Sequence, residues 1–162
     1  MISKNKKLVL NGILIFSILS LSIAYFIEFA LEHKPCNLCI IERYPYLGTI
    51  ILISLLMVVN KFEKIIYYII LSLFVFGVIV SFYHVGIEQG FFNESFVCEL
   101  GNSEKNFSKK DLLKQLGAVA PVSCKNVTFK LLGLSLATIN TIISIILSVI
   151  IGTIIFNYDK NK

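Results

Sequence analysis

Residues 8–27 read LVLNGILIFSILSLSIAYFI, 20 positions without a charge. The fold turns on whether this run stays in the protein. Lys4, Lys6 and Lys7 precede it, as basic residues precede the core of a secretory signal. Such a core is about 7–15 residues long and ends at a small-x-small cleavage site. This run is longer, no such site follows, and Glu28, Glu32 and His33 come next. It reads as a retained first membrane span.

Three more uncharged runs follow at 44–60, 65–83 and 131–156. Crossing the hydrocarbon layer takes roughly 17–25 apolar residues as a helix, and each run suffices. The whole chain of 162 residues is 56% apolar and 15% charged, with no tryptophan. That excludes an ordinary soluble domain. The sequence predicts an all-α membrane protein: a four-transmembrane-helix bundle forming a single integral membrane domain over residues 1–162. Its two outward loops are 28–43 and 84–130.

The formal charge of +5 is explained by topology rather than by nucleic acid. Lys4, Lys6 and Lys7 lie in the N-terminal tail, Lys61 and Lys64 between spans two and three, and Lys160 and Lys162 in the C-terminal tail. With four spans these segments share one side, which the positive-inside rule makes cytoplasmic. Both remaining loops then face outward, where disulfides persist.

The first outward loop holds Pro35-Cys36-Asn37-Leu38-Cys39-Ile40-Ile41-Glu42-Arg43. Pro35 favours an extended or turn conformation before Cys36. The apolar run and Pro45 place the start of the second helix near Cys39, where the helix dipole favours a thiolate. Arg43 lies one turn further on the same face. A thiolate, a guanidinium and a lipid-facing surface suit a polarisable apolar oxidant such as a quinone. The competing reading of Arg43 is a headgroup anchor.

The second loop begins Tyr83-His84-Val85-Gly86-Ile87-Glu88 and holds Cys98 and Cys124. Ser108-Lys109-Lys110-Asp111 resembles a capping box, and Leu112, Leu113 and Leu116 form a stripe. This predicts a short amphipathic surface helix. His84 reads as a proton carrier beside a quinone or as a satisfied interface residue. Asn140, inside span four, reads chiefly as interhelical glue, and Gly133, Ser135 and Ala137 as close-packing positions.

Four outward cysteines allow structural disulfides, a four-thiolate zinc site or an exchanging redox set. Zinc is the weakest, because its second CxxC-like knuckle is missing, and no metal is expected. Structural bridges account for Cys98 and Cys124, but a bridge within CxxC closes too small a ring to staple much. Redox exchange accounts for one tight pair and one distant pair together.

Four spans, CxxC with Glu-Arg at the start of span two, and a cysteine pair in the second outer loop resemble the disulfide bond formation protein B (DsbB) family. Tyr83–Glu88 and Gly133-Leu134-Ser135-Leu136-Ala137 look like motifs of one branch of it. The resemblance implies a quinone-reducing protein-disulfide oxidoreductase of the bacterial inner membrane, with both termini cytoplasmic and the cysteine loops periplasmic. It implies a DsbA-like, thioredoxin-fold dithiol partner that attacks a Cys98–Cys124 disulfide at Cys98. Cys124 would bridge to Cys36. Cys39 would donate to ubiquinone or menaquinone, placed by Arg43, with His84 also at the quinone site. Lys125 stands where relatives often carry an acid, and Phe129 stands near the second loop cysteine in a chain without tryptophan. Both departures bear on partner docking and point to a dedicated partner. A vitamin K epoxide reductase-like protein is the second enzymatic reading, which the early CxxC opposes. A non-enzymatic scaffold or small-solute carrier with structural disulfides is the third, and polar span residues such as Asn11 and Asn140 are few.

Overall fold

The structure is a computed structural model that describes residues 4–59, 62–93, 124–125, 130–131 and 133–160. Five helices are described: α1 (Lys4–Phe29), α2 (Asn37–Ile41), α3 (Tyr44–Val59), α4 (Glu63–Glu88) and α5 (Leu136–Lys160). Four stretches are long and apolar enough to cross a membrane: Lys7–Phe29, Asn37–Val59, Glu63–Glu88 and Leu136–Asn157. This is the all-α bundle the sequence predicts. Helices are required because hydrocarbon offers backbone N–H and C=O groups no partner.

The buried positions repeat at alternating steps of three and four. On α3 they are Tyr46, Thr49, Ile53 and Leu56. On α4 they include Tyr67, Ile70, Phe74, Gly77, Ser81 and His84. On α5 the buried residues Ala137, Ser144, Leu147, Ile151 and Ile154 follow the same rhythm. That spacing keeps one stripe facing a partner along the length of two helices, as in left-handed bundles. α4 packs most extensively on α5 and also on α3, while α1 packs on α3. Residues off the stripe, such as Ile15, Leu19, Val58, Ile79, Phe82 and Val149, are exposed and present the apolar flank that lipid requires.

Lipid tails are as apolar as leucine, so helices associate through close packing rather than exclusion from water. Gly77 provides one such contact. A side chain there would press on Pro45 of α3 and Ser144 of α5.

Three boundaries differ from the expected ones. The second span is broken: α2 ends at Ile41 and α3 starts at Tyr44. Pro45 has no N–H to give the Ile41 carbonyl, and its ring would crowd that carbonyl in a continuous helix. The ladder restarts with Leu47 N–H on the Arg43 carbonyl at 3.1 Å. The third span runs on to Glu88, so Tyr83–Glu88 is helix rather than loop. It ends when Gly90, at φ +80°, turns the chain. Phe91 and Gly90 N–H groups then take the Gly86 and Ile87 carbonyls at 2.8 and 3.1 Å. This is the Schellman closure that a left-handed glycine permits.

The fourth span starts five residues later than its apolar run. Lys130–Leu131 and Leu134–Ser135 pair as a two-residue antiparallel hairpin instead. Gly133 is not a packing residue: it sits at φ +83° in the turn, with open space where a side chain would be. Ser135 and Ala137 are buried. The surface helix expected near 108–116 lies outside the described residues.

Candidate functional site: a buried cysteine pair and its polar network

The CxxC pair sits at one end of the bundle, where α2 meets α4. Cys36 is the N-cap of α2 rather than part of the helix, and its Sγ accepts the Cys39 N–H at 3.2 Å. The helix therefore starts at Asn37, two residues earlier than the sequence suggests, with Cys36 in the capping position. The two Sγ atoms are 2.6 Å apart, and both thiols are free. Cys36 is buried, whereas Cys39 is partly exposed.

Cys36 packs in a small cluster with Leu38, Ile87 and Cys124, against which Cys39, Ile41, Val80 and Tyr83 also lie. Cys124 is disulfide-bonded, and only 2% of it is exposed. Cys98 lies outside the described residues. The structure thus puts one cysteine of the second loop in the same buried cluster as the first cysteine of CxxC.

His84, on α4, reaches the pair from the other side. Its Nε2 lies 3.5 Å from Cys36 Sγ. Its Nδ1 lies 2.7 Å from Glu42 Oε1. The other Glu42 oxygen accepts the Asn140 side-chain N–H at 2.9 Å, and the Asn140 carbonyl accepts the Tyr46 hydroxyl at 2.6 Å. Four segments therefore converge: the α2–α3 turn, α3, α4 and α5. Glu88, one turn beyond His84, places Oε1 3.8 Å from Nε2. Cys36 is pulled down to about 5. Its hydrogen bond with Cys39 is the main cause, and His84 adds a further hydrogen bond and charge, against the opposing effect of burial. A thiol this acidic is thiolate at neutral pH and a good leaving group.

Arg43 points elsewhere. The break at 42–43 turns it to α1, where Nη1 donates to Glu28 Oε2. Its guanidinium lies over the Tyr25 ring, 4.9 Å from the centroid. Tyr25 in turn stacks on Phe29 at 6.2 Å. Arg43 and His84 thus occupy different flanks of the CxxC segment.

Cys36, Cys39 and His84 present metal-binding atoms within 4.8 Å of one another. A pair of thiols this close beside a disulfide-bonded cysteine suits dithiol–disulfide exchange.

Sequence reasoning missed the roles of Glu42, Tyr46 and Glu28 and treated Asn140 chiefly as glue. The available signal was register. Asn140 lies on the same three-four stripe as Ser144 and Leu147, and Tyr46 on the stripe with Thr49 and Ile53, so both face inward.

Comparison with known proteins identifies the family. The profile of the family described as "Disulfide bond formation protein DsbB" matches residues 6–154. An uncharacterized protein of Rickettsia prowazekii (strain Madrid E) is 32% identical over 163 aligned residues, covering 99% of this chain and 95% of that protein. No solved structure matches. Four apolar spans, a CxxC pair packed beside a disulfide-bonded cysteine of the second loop, and a family match over most of the length lead to one assignment: the chain belongs to the DsbB family of multi-pass membrane proteins of disulfide bond formation.

Proposed function

We propose that the protein reoxidises a periplasmic, thioredoxin-fold dithiol partner and passes the electrons to membrane quinone. The carrying observation is that Cys124 and Cys36 belong to one buried cluster. Two loops far apart in sequence meet where thiol exchange needs them to meet.

A partner thiolate attacks Cys98, and Cys124 leaves as a thiolate. Cys124 attacks Cys36, forming a Cys36–Cys124 bond as the Cys36–Cys39 bond breaks. The second partner thiolate releases the partner as a disulfide and Cys98 as a thiolate. Cys98 then recaptures Cys124, and Cys36 leaves. The acidity of Cys36 speeds this last step, because a low-pKa thiol leaves faster. Quinone, when bound, would take two electrons from the CxxC sulfurs, which close to a disulfide, and two protons from solvent. Partner dithiol and quinone thereby become partner disulfide and quinol.

Burial supports the division of labour. Cys36 faces the loop cluster, and the partly exposed Cys39 is the sulfur that a ligand arriving from the lipid meets. Exposed Ile40, Tyr25, Phe26 and Phe29 offer apolar and aromatic surface on that flank. A guanidinium has five N–H donors, so Arg43 can hold Glu28 and still offer a donor to a quinone carbonyl. His84 serves the cysteine pair directly. The positive-inside rule places the termini in the cytoplasm and the loops in the periplasm of the bacterial inner membrane.

The test is reduction of a soluble quinone by purified protein supplied with a reduced thioredoxin-fold dithiol protein. Cys36→Ser and Cys39→Ser should each bring turnover to background. Full activity in either variant would end the relay, and a scaffold would reduce no quinone at all.

A further inference from the structure

His84 is the side chain that joins the cysteine pair to the rest of the bundle, and something must hold its ring. A histidine on a helix can rotate about two side-chain bonds, and only one ring orientation puts Nε2 on Cys36. The Glu42 carboxylate at Nδ1 selects that orientation and fixes which nitrogen faces the sulfur. Glu42 comes from the short turn between α2 and α3 and is itself buried, 8% exposed. A buried carboxylate held at one oxygen only would be costly and free to swing. Asn140 occupies the second oxygen. Tyr46 then decides which way the Asn140 amide faces, because a hydroxyl that donates must meet the amide oxygen, leaving the NH2 group for Glu42.

We infer that Tyr46 and Asn140 are positioning residues for the redox pair, acting through Glu42 to hold the His84 ring against Cys36. This rests on the relay proposed above and adds two residues that touch neither sulfur. The arrangement follows the logic of a nucleophile, a base and an orienting group, extended by two further members. Each member lies on a different packed element, so the network also reports whether α3, α4 and α5 are seated together. Two other polar residues on the same stripes do not contribute. Ser81 and Thr49 bond carbonyls of their own helices, Gly77 and Pro45, each at 2.7 Å.

Among the described residues, the titratable groups facing Cys36 and His84 are Cys39 from α2, Glu42 from the turn, and Glu88 and Tyr83 from α4 itself, while neutral Asn140 and Tyr46 stand behind Glu42. Arg43 is turned away onto Glu28. A loosened His84 therefore leaves Cys36 with burial and fewer favourable contacts, and its thiolate forms at higher pH.

The test measures the rate of Cys36 alkylation against pH, by mass spectrometry, in full-length protein whose CxxC is reduced. Quinone turnover is followed in parallel. Tyr46→Phe keeps the ring, which packs edge-on to Phe74 at 6.0 Å, and removes only the hydroxyl. It should raise the alkylation midpoint measurably and slow turnover a few-fold. Asn140→Asp sets a second carboxylate against Glu42 and should do more, about tenfold in turnover, whereas Asn140→Gln should restore part of the loss. Unchanged midpoints in Tyr46→Phe and Asn140→Asp, with lowered thermal stability alone, would reduce both residues to packing and overturn the inference. Absence of quinone turnover in the unmutated protein, with midpoints that still shift, would strike the relay and leave the positioning network standing.

Discussion

The two ends of the bundle are built on one repeat and filled with different chemistry. Away from the CxxC segment the stripes carry Ile53, Leu56, Tyr67, Ile70, Phe74, Leu147, Ile151 and Ile154, all buried. Toward it they carry Tyr46, Thr49, Ser81, His84, Asn140 and Ser144. The spacing does not change between them. Alternating steps of three and four seat helices whatever the side chains are, and residue type then decides whether a segment of the stripe is core or site. At the apolar end the contacts are short-range and replaceable. At the polar end the hydrogen bonds around Glu42 and Asn140 join different elements, so one substitution there disturbs several.

The comparison breaks most sharply at His84. His84→Asn keeps a donor for Glu42 but has no group that takes up a proton near neutral pH. Cys36 is thiolate above pH about 5 in the intact site, and its reactivity should fall tenfold per unit below that. In His84→Asn the midpoint should move upward, and a rise of about one pK unit would lower alkylation of Cys36 about tenfold below pH 5 while leaving it nearly unchanged at pH 7. A midpoint that stays in place would mean that Cys39 alone makes the thiol acidic.

At the other end Ile70→Ala should cost about 2–5 kcal/mol of stability, the range for emptying a well-packed position. The Cys36 midpoint should not move. Thermal unfolding in detergent and the same alkylation curve check both halves, and a shifted midpoint would show that the two ends are not separable.

The smallest expected effect is at the α1 flank. Glu28→Gln removes the charge from the Arg43 pair, which is partly exposed and is worth about 0.2–1 kcal/mol. Stability should scarcely change. If Arg43 serves the quinone, the apparent KM for quinone should change while the Cys36 pH curve stays fixed. Movement of that curve would tie the two flanks together.

Much of the fold was legible. The first uncharged run forms α1. The other three apolar runs each contain a helix, because apolar length is a local property. The misplaced ends have local causes too. Leu131–Ser135 is as apolar as a span, and composition cannot distinguish a hairpin turned at Gly133 from the first turn of a helix. Tyr83–Glu88 carries His, Gly and Glu, which suggest a loop, yet its buried face completes the α4 stripe. Pro45 was recognised as a residue tolerable near a helix start, but the start it enforces is at Tyr44, after a separate turn of helix at the cysteines.

The site was legible in its cysteines and less so in their surroundings. CxxC, His84 and Arg43 were singled out from type and spacing. Arg43 was aligned with Cys39 on one helix face, and the break at 42–43 sends it to Glu28 and Tyr25 instead. Glu42 stood in plain view beside Arg43, but nothing local shows that it faces inward.

The sequence by itself determined that this chain crosses a membrane as helices, carries a tight and a distant cysteine pair, and resembles a family of disulfide formation. These follow from transfer of apolar segments out of water and from residues a few positions apart. Only the tertiary structure decided which sulfur is caged, by His84 at 48 positions' distance from Cys36, and that Asn140 reaches Glu42 across 98 positions. Those contacts depend on how four helices are rotated against one another. That rotation is set by the packing of all the stripes together, which no single stretch of sequence contains.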